Sequence, residues 1–460
     1  MLAGKSTAGE KIQVLFKNEV LSSKNRPING WILMRRTFLS LGIWIGMWTT
    51  ISLLIYIKIP AAFTKVYAED GLALQIALKK SFPDDFLLPY AGYFDIVWRS
   101  GGRVAALFPL ENAAQTIFLF NTLMLSWITL ILFRASSEFI PSRISRSIFS
   151  LSLVLLPIAS FESIANTTNL HFFFMSACLP IFLRKSTAKH ETYFFSFFVL
   201  IATLSTPLMI FYFPLIIYLR WGSKNSKRFE KLKLAESALL VGIFLQVIFI
   251  LTRALGDRTS TGVNSIAKTS YLYLDRVIGS TFFPWWGNVS ENTSSIAPNL
   301  FSTQIYLSLR ALFAFVLLFL FLLYLFKLTT KNKELKVLAM GVFLSGLFYW
   351  LVVGMLFNPE PRYAIFPSFS LLLLMFYIQG AGSEIGVSKI HQPALVLVIL
   401  LTWIGTWSPS ELRVGGPTWI AEYINAQAVC LTRGGEARIP IIPTNMDWVV
   451  FIDCTKMLSS

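Results

Sequence analysis

Charged side chains that could do chemistry are concentrated between Tyr67 and Arg103, directly after the long apolar run Arg36–Ile59. Only 14% of the 460 residues are charged, yet this stretch holds five carboxylates and four cations: Glu69, Asp70, Asp84, Asp85, Asp95, Lys79, Lys80, Arg99 and Arg103. A carboxylate can take a proton from a reacting hydroxyl, and an arginine can hold an anion. Because charges beside a bilayer are costly unless solvated or paired, the cluster is a candidate reaction site, with a solvated loop as the alternative.

The rest of the chain must form the elements that position this cluster, and it is strongly apolar. Hydrophobic residues make up 55% of the chain, aromatic residues 15%, and the mean hydropathy is +0.62. These values far exceed those of a soluble globular protein. They predict an all-α polytopic membrane protein with about 11 membrane segments, since roughly 20 apolar residues are enough for a helix to cross a bilayer.

The net charge of +16 indicates how the chain is oriented. Lys and Arg cluster in the short connections between apolar runs, which is typical of cytoplasmic loops and is not a nucleic-acid-binding pattern. We therefore expect a multi-pass protein of the cell inner (plasma) membrane, with no nucleic acid partner. Its amino terminus is predicted to be cytoplasmic and its carboxyl terminus extracytoplasmic.

This orientation divides the chain into three regions. Residues 1–35 form a basic cytoplasmic tail, residues 36–407 a transmembrane domain, and residues 408–460 a small extracytoplasmic domain. The transmembrane domain has two large outer loops, 60–111 and 256–304. Within the first loop, Ala73–Lys80 and Phe94–Leu107 have helical spacing and mixed polarity, which predicts helices along the membrane surface.

The carboxyl-terminal region is predicted to be a small α/β domain. Two strands, Ala437–Ile442 and Trp448–Asp453, are separated by a Pro-Thr-Asn turn. Cys430 and Cys454 flank these strands on the side of the membrane where thiols are oxidised. We therefore predict a Cys430–Cys454 disulfide.

Short apolar runs in the middle of the chain, each about 13 or 14 residues long, indicate tilted or partial spans around a cavity. Their outer turns would line a cleft with Glu162, Asn166, Asn169 and His171. His171 precedes three phenylalanines, and it is either a ligand or simply a residue at a helix end.

The sequence has no internal repeat, no phosphate-binding loop, no dinucleotide fingerprint and no Cys or His spacing typical of a metal site. No metal-binding residues are assigned. The cofactor is therefore unknown, and a divalent cation stays an open alternative.

Several features together resemble the GT-C superfamily of integral membrane glycosyltransferases that depend on polyprenyl-phosphate sugars. They are the acidic pair Glu69-Asp70 in the first outer loop, the surface helices after it, the short middle spans, the pair Arg362-Tyr363 at a late outer turn, and the outer carboxyl-terminal domain. The segments Pro89–Tyr93 and Asn166–Asn169 resemble those of uncharacterised bacterial members. The chain departs from the pattern in having Gly71, and no longer signature, after the acidic pair.

The resemblance implies a hexosyl- or pentosyltransferase that moves a sugar from a lipid-linked donor to a glycan, lipid or protein acceptor on the outer side of the membrane. Asp70 or Glu69 would be the catalytic base. Arg362, Tyr363, Arg99 and Arg103 would bind the donor phosphate. The implied role is in building cell-surface glycans of the cell envelope.

Two other classes of function remain. A transporter or flippase would use the same charges to bind and release a lipid-linked or polar solute. The absence of inverted repeats and the outer carboxyl-terminal domain argue against it. An assembly or scaffold subunit without chemistry is the third class.

Overall fold

The structure, a computed structural model, describes most of the chain. The described residues are 30–89, 92–156, 163–184, 189–222, 233–252, 264–279, 281, 300–329, 333–356, 361–382, 415–444 and 447–459. Glu162, predicted to line the cleft, lies outside them, as does most of the predicted second outer loop. The chain divides into two compact units, Met1–Thr49 and Thr50–Ser460, and the second contains the carboxylates and arginines of the first loop.

The chain is mostly helical. Within the described residues its helices are α1 Gly30–Lys58, α2 Ala68–Lys79, α3 Ile96–Ala106, α4 Ala113–Ala135, α5 Arg143–Leu155, α6 Leu170–Leu183, α7 Lys189–Ser205, α8 Tyr212–Gly222, α9 Lys233–Thr252, α10 Ile266–Leu272, α11 Leu300–Thr329, α12 Lys333–Leu356, α13 Ile365–Gly382, α14 Trp419–Arg433 and α15 Cys454–Ser459. The same ranges contain two strands, β1 Glu436–Pro440 and β2 Val449–Asp453.

Four helical segments of the described chain are long and apolar enough to cross a membrane: Leu41–Lys58, Leu110–Glu138, Leu234–Thr252 and Lys336–Leu356. A fifth candidate is the pair Lys189–Ser205 and Pro207–Arg220, which is bent by 119°. This confirms a helical multi-pass membrane protein. The count of about 11 segments, which included shorter runs, stays a prediction.

One of these shorter runs is a buried helix inside the bundle. The sequence predicts a partial span over Leu170–Leu183, and α6 occupies these 14 residues. Every side chain of α6 is buried, including both ends. A helix of 14 residues is short for a membrane crossing. The apolar character of α6 is therefore explained by its burial within the protein.

The helices α2 and α3 pair closely because Gly102 has no side chain. A Cβ on Gly102 would collide with the backbone carbonyl group of Ala73 in α2. Asp95 begins α3 by accepting a hydrogen bond from Trp98 N through Oδ1, at 3.1 Å, which satisfies an unpaired amide of the first turn. The acidic pair lies in the first turn of α2, where the helix dipole favours negative charge.

The carboxyl-terminal unit, residues 415–459, packs against α2. The strands β1 and β2 form an antiparallel pair, and a disulfide joins Cys430 to Cys454. Phe451 N donates to Gln75 Oε1 of α2 at 2.8 Å. Gly71 allows this contact, because a Cβ there would lie 2.8 Å from Val450 Cγ2.

The ends of the strands differ by one or two residues from the predicted ones, and the first strand ends early because of a contact with a distant part of the chain. Ile442 leaves the sheet and forms a parallel bridge with Tyr67, and Ala68 N donates to Ile442 O at 2.7 Å. The end of the first predicted strand is thus paired with the residues that precede α2. This pairing holds the carboxyl-terminal unit beside the acidic pair.

Candidate functional site

Asp70 is a buried carboxylate with two hydrogen-bond donors from one residue. Its side chain is 2% exposed. Oδ1 accepts a hydrogen bond from Thr167 N at 2.9 Å and another from Thr167 Oγ1. Both donors favour the ionised form of a carboxylate. Thr167 therefore fixes the orientation of this carboxylate oxygen.

Glu69 is held by the same segment but is half-buried. Its Oε2 accepts a hydrogen bond from Asn166 Nδ2 at 3.4 Å, and its backbone oxygen accepts one from Trp98 Nε1 at 2.8 Å. The two acidic residues thus contact successive residues of one turn. Asn166, predicted from sequence to line a cleft, lies against Glu69.

The turn that presents these groups is tightly constrained. Ala165 has a φ of 59°, in the left-handed region that a residue with a Cβ adopts at a cost. Asn166 Oδ1 then accepts from Thr168 N at 3.0 Å, and Asn169 N donates to Asn166 O at 3.1 Å. These bonds close the 3₁₀ turn Thr167–Asn169 just before α6. Non-glycine residues in this conformation cluster at functional sites.

His171 joins the turn to Asp95. Its Nδ1 lies 2.5 Å from Thr168 O, and since a carbonyl can only accept, Nδ1 carries the hydrogen. The same nitrogen is 4.0 Å from Asp95 Oδ2. His171 is therefore the second residue of α6, which agrees with the interpretation of a residue at a helix end, and it also faces a buried carboxylate.

Asp95 is another buried acid of the region, as are Asp70 and Asp85. It is 1% exposed, and its Oδ2 has no hydrogen-bond partner among the described residues. Burial raises the pKa of Asp95 well above its ordinary value, against the opposing effects of the Trp98 amide and the Arg99 charge. Asp70 and Asp95 thus differ in their partners: two donors converge on Asp70 Oδ1, whereas Asp95 accepts one hydrogen bond from the Trp98 amide at Oδ1.

Arg99 and Arg103 contact the loop itself. Arg99 is 2% exposed, and its Nη2 donates to Leu88 O at 2.7 Å. Burial lowers the pKa of Arg99 to about 10, while Asp95 and Asp85 oppose this shift. Arg103 Nε donates to Asp85 Oδ2 at 2.8 Å. Both arginines thereby hold the connection between α2 and α3 against α3.

Arg362 and Tyr363 lie in the 3₁₀ turn Pro361–Ala364, before α13. The guanidinium carbon of Arg362 is 5.9 Å from the centroid of the Tyr363 ring. The Tyr363 ring packs edge-to-face on Phe172 at 5.3 Å, and Phe172 directly follows His171. An aromatic contact therefore connects the late turn to the start of α6.

Two positioning residues have no clear signal in the sequence. Thr167 is a common residue type in a loop, and only the fold brings it to Asp70. Gln246, in the candidate span Leu234–Thr252, is buried, accepts from Phe94 N at 3.1 Å and donates to Phe94 O at 2.7 Å. Gln246 interrupts the apolar run that follows Ser237 in this span, and a polar residue there is the cue that could have identified it.

The arrangement suits proton transfer beside the membrane. It offers a buried carboxylate with fixed geometry, a half-buried carboxylate next to it, and an arginine on a turn linked to the same segment. Within the described ranges, no three His, Cys, Asp or Glu side chains group as metal ligands would.

Fold and site together define a multi-pass helical membrane protein with an acidic site between its first loop and the start of α6. No protein-family profile matches the chain, and no curated protein matches it. A solved structure with similarity to this chain is that of ArnT from Cupriavidus metallidurans bound to undecaprenyl phosphate. The two are 12% identical with a TM-score of 0.45, over 90% of this chain and 75% of that chain. At this level the likeness carries no conclusion about function.

Proposed function

We propose that this chain is a membrane glycosyltransferase that moves a sugar from a polyprenyl-phosphate carrier to an acceptor on the outer side of the membrane. The observation that carries the proposal is Asp70, buried outside all the candidate spans and fixed by two donors from Thr167. An acceptor hydroxyl attacks the anomeric carbon of the sugar. The bond from that carbon to the phosphate oxygen breaks, the phosphate leaves on its carrier, and Asp70 takes the hydroxyl proton. Glu69 shares this role.

Arg362 and Tyr363 are proposed to bind the donor phosphate. Their half-buried position supports this role, as does the packing of Tyr363 on Phe172, next to the segment that holds Asp70. A guanidinium fork matches phosphate oxygens and stabilises the charge that grows as the phosphate leaves. Arg99 and Arg103 were predicted from the resemblance to bind the donor phosphate as well; we propose instead that they support the site by fixing the loop, since their hydrogen bonds go to loop carbonyls and to Asp85. The sugar is a hexose or pentose, and the acceptor a glycan, lipid or protein.

Binding of polyprenyl phosphate to the purified protein tests this proposal. We expect the phosphate to bind, and the matched polyprenol without the phosphate to bind at least about tenfold more weakly, because the charged contact is lost. Arg362→Lys keeps the charge but loses the fork, so we expect roughly tenfold weaker binding of the phosphate. Equal binding of the two lipids would contradict a phosphate-carried donor.

The proposed topology places about 11 segments in the inner membrane, with the amino terminus inside and the carboxyl-terminal unit outside. The clustering of basic residues in alternate connections supports it. A maleimide that does not cross membranes should label a cysteine introduced at the exposed Ser459 in intact cells. Labelling only after the membrane is permeabilised would place the site on the wrong side.

A transporter or flippase is the second candidate. The bend of 119° between α7 and the helix that follows it is an observation in its favour, because broken helices often form solute sites in transporters. Flux of a lipid-linked sugar across reconstituted vesicles, with no cleavage of its phosphate bond, would support this class.

A further inference from the structure

The hydrogen bonds between Thr167 and Asp70 join two residues that are 97 positions apart in sequence. Thr167 directs both its backbone amide and its hydroxyl at the same oxygen of Asp70. Both residues are buried, with Thr167 only 1% exposed. Water therefore cannot readily replace the hydroxyl as a donor.

Thr167 is held in place from two directions. The hydrogen bonds of Asn166 and Asn169 fix its backbone within the 3₁₀ turn. Its methyl group fits against Gly101 of α3, where an added Cβ would lie 2.6 Å from Thr167 Cγ2. The hydroxyl is thus directed at Asp70 by packing as well as by the turn.

We propose that Thr167 is the positioning residue of the reaction, which fixes the carboxylate of Asp70 in one orientation and donates two hydrogen bonds that stabilise its proton-accepting form. The catalytic meaning of this inference rests on the proposed function. The physical part does not, because a donor to a carboxylate lowers its affinity for protons whatever reaction follows. Loss of the hydroxyl should therefore move the titration of Asp70 to higher pH.

Infrared spectroscopy of the full-length protein over a pH series tests this. The carbonyl band of protonated Asp70 is identified as the band that is missing from the spectrum of the Asp70→Asn variant. In Thr167→Val, we expect the midpoint of this band to move up by about 1 pH unit, as the loss of one hydrogen bond to a charged group predicts. Thr167→Ser keeps the hydroxyl and should keep most of the original midpoint.

Thr168→Val is the matched control. Thr168 is also buried, but its Oγ1 has no hydrogen-bond partner among the described residues. The change removes the same group from the next position of the same turn and should leave the midpoint in place. An equal shift in both variants would attribute the effect to the turn as a whole and overturn the assignment to Thr167.

Gly101→Ala provides a second route if Thr167→Val fails to fold. It retains every hydroxyl but displaces the methyl group of Thr167, so the midpoint should again move to higher pH. An unchanged midpoint in the folded variant would overturn the proposal.

A transfer assay links the titration to catalysis. The acid limb of its pH–rate profile should move to higher pH in the variants whose infrared midpoint moves to higher pH. If Asp70→Asn leaves transfer intact while Thr167→Val still moves the band, the proposed function fails and the positioning by Thr167 stands.

Discussion

Replacing Asp70 by asparagine should lower the rate of sugar transfer by roughly 100-fold or more, since a general base contributes about that much. The amide oxygen of asparagine can still accept both hydrogen bonds from Thr167, so the shape of the site is retained while its basicity is lost. Binding of polyprenyl phosphate should change by less than about twofold, because Asp70 is proposed to take the acceptor proton and not to bind the phosphate. Initial rates and lipid binding, measured on the same purified protein, check both expectations.

Two further carboxylates provide the comparison. Glu69→Gln should cause a smaller loss, because Glu69 is half-buried and receives a single long hydrogen bond from Asn166. Asp84→Asn changes an exposed carboxylate of the same loop and should leave the rate near that of the wild type. If Asp70→Asn were as active as Asp84→Asn, the assignment of the base would be wrong.

A methyl group added at Gly102 should destabilise the protein, although alanine is the better helix former. Helix propensity alone would favour Gly102→Ala by about 1 kcal/mol. The new Cβ would collide with the backbone carbonyl of Ala73, which cannot rotate away as a side chain could. Forcing atoms into a packed contact costs about 1–3 kcal/mol, so we expect the steric effect to exceed the propensity effect.

Thermal unfolding in detergent measures this balance, and we expect Gly102→Ala to melt several degrees lower, at roughly 2–4 °C per kcal/mol. Transfer should fall as well, because α2 carries Asp70 and α3 carries the Gly101 contact with Thr167. Gly42→Ala is the matched control, since nothing lies within 4 Å of a Cβ at Gly42. A melting temperature of Gly102→Ala at or above that of the wild type would contradict the close packing of α2 against α3.

Local features of the sequence were sufficient for the class of protein and for many of its elements. Long apolar runs predict the spans because a bilayer requires about 20 apolar residues per helix. Alternating apolar residues predict the two strands to within two residues. The positions of Cys430 and Cys454 suggest the disulfide that the structure contains. Each of these signals lies within one segment or between segments close in sequence.

Only the tertiary structure decided which polar groups meet. Asp70 is hydrogen-bonded to Thr167, 97 positions away. Gln246 is hydrogen-bonded to Phe94, 152 positions away, and Gln75 to Phe451, 376 positions away. The sequence marks Asp70 by its charge, but Thr167 and Gly102 are ordinary residue types whose importance comes from the packing of α2, α3 and the turn before α6. Charge and hydropathy are properties of single residues and can be read along a chain, whereas a hydrogen bond or a close approach depends on two segments whose relative position the fold alone determines.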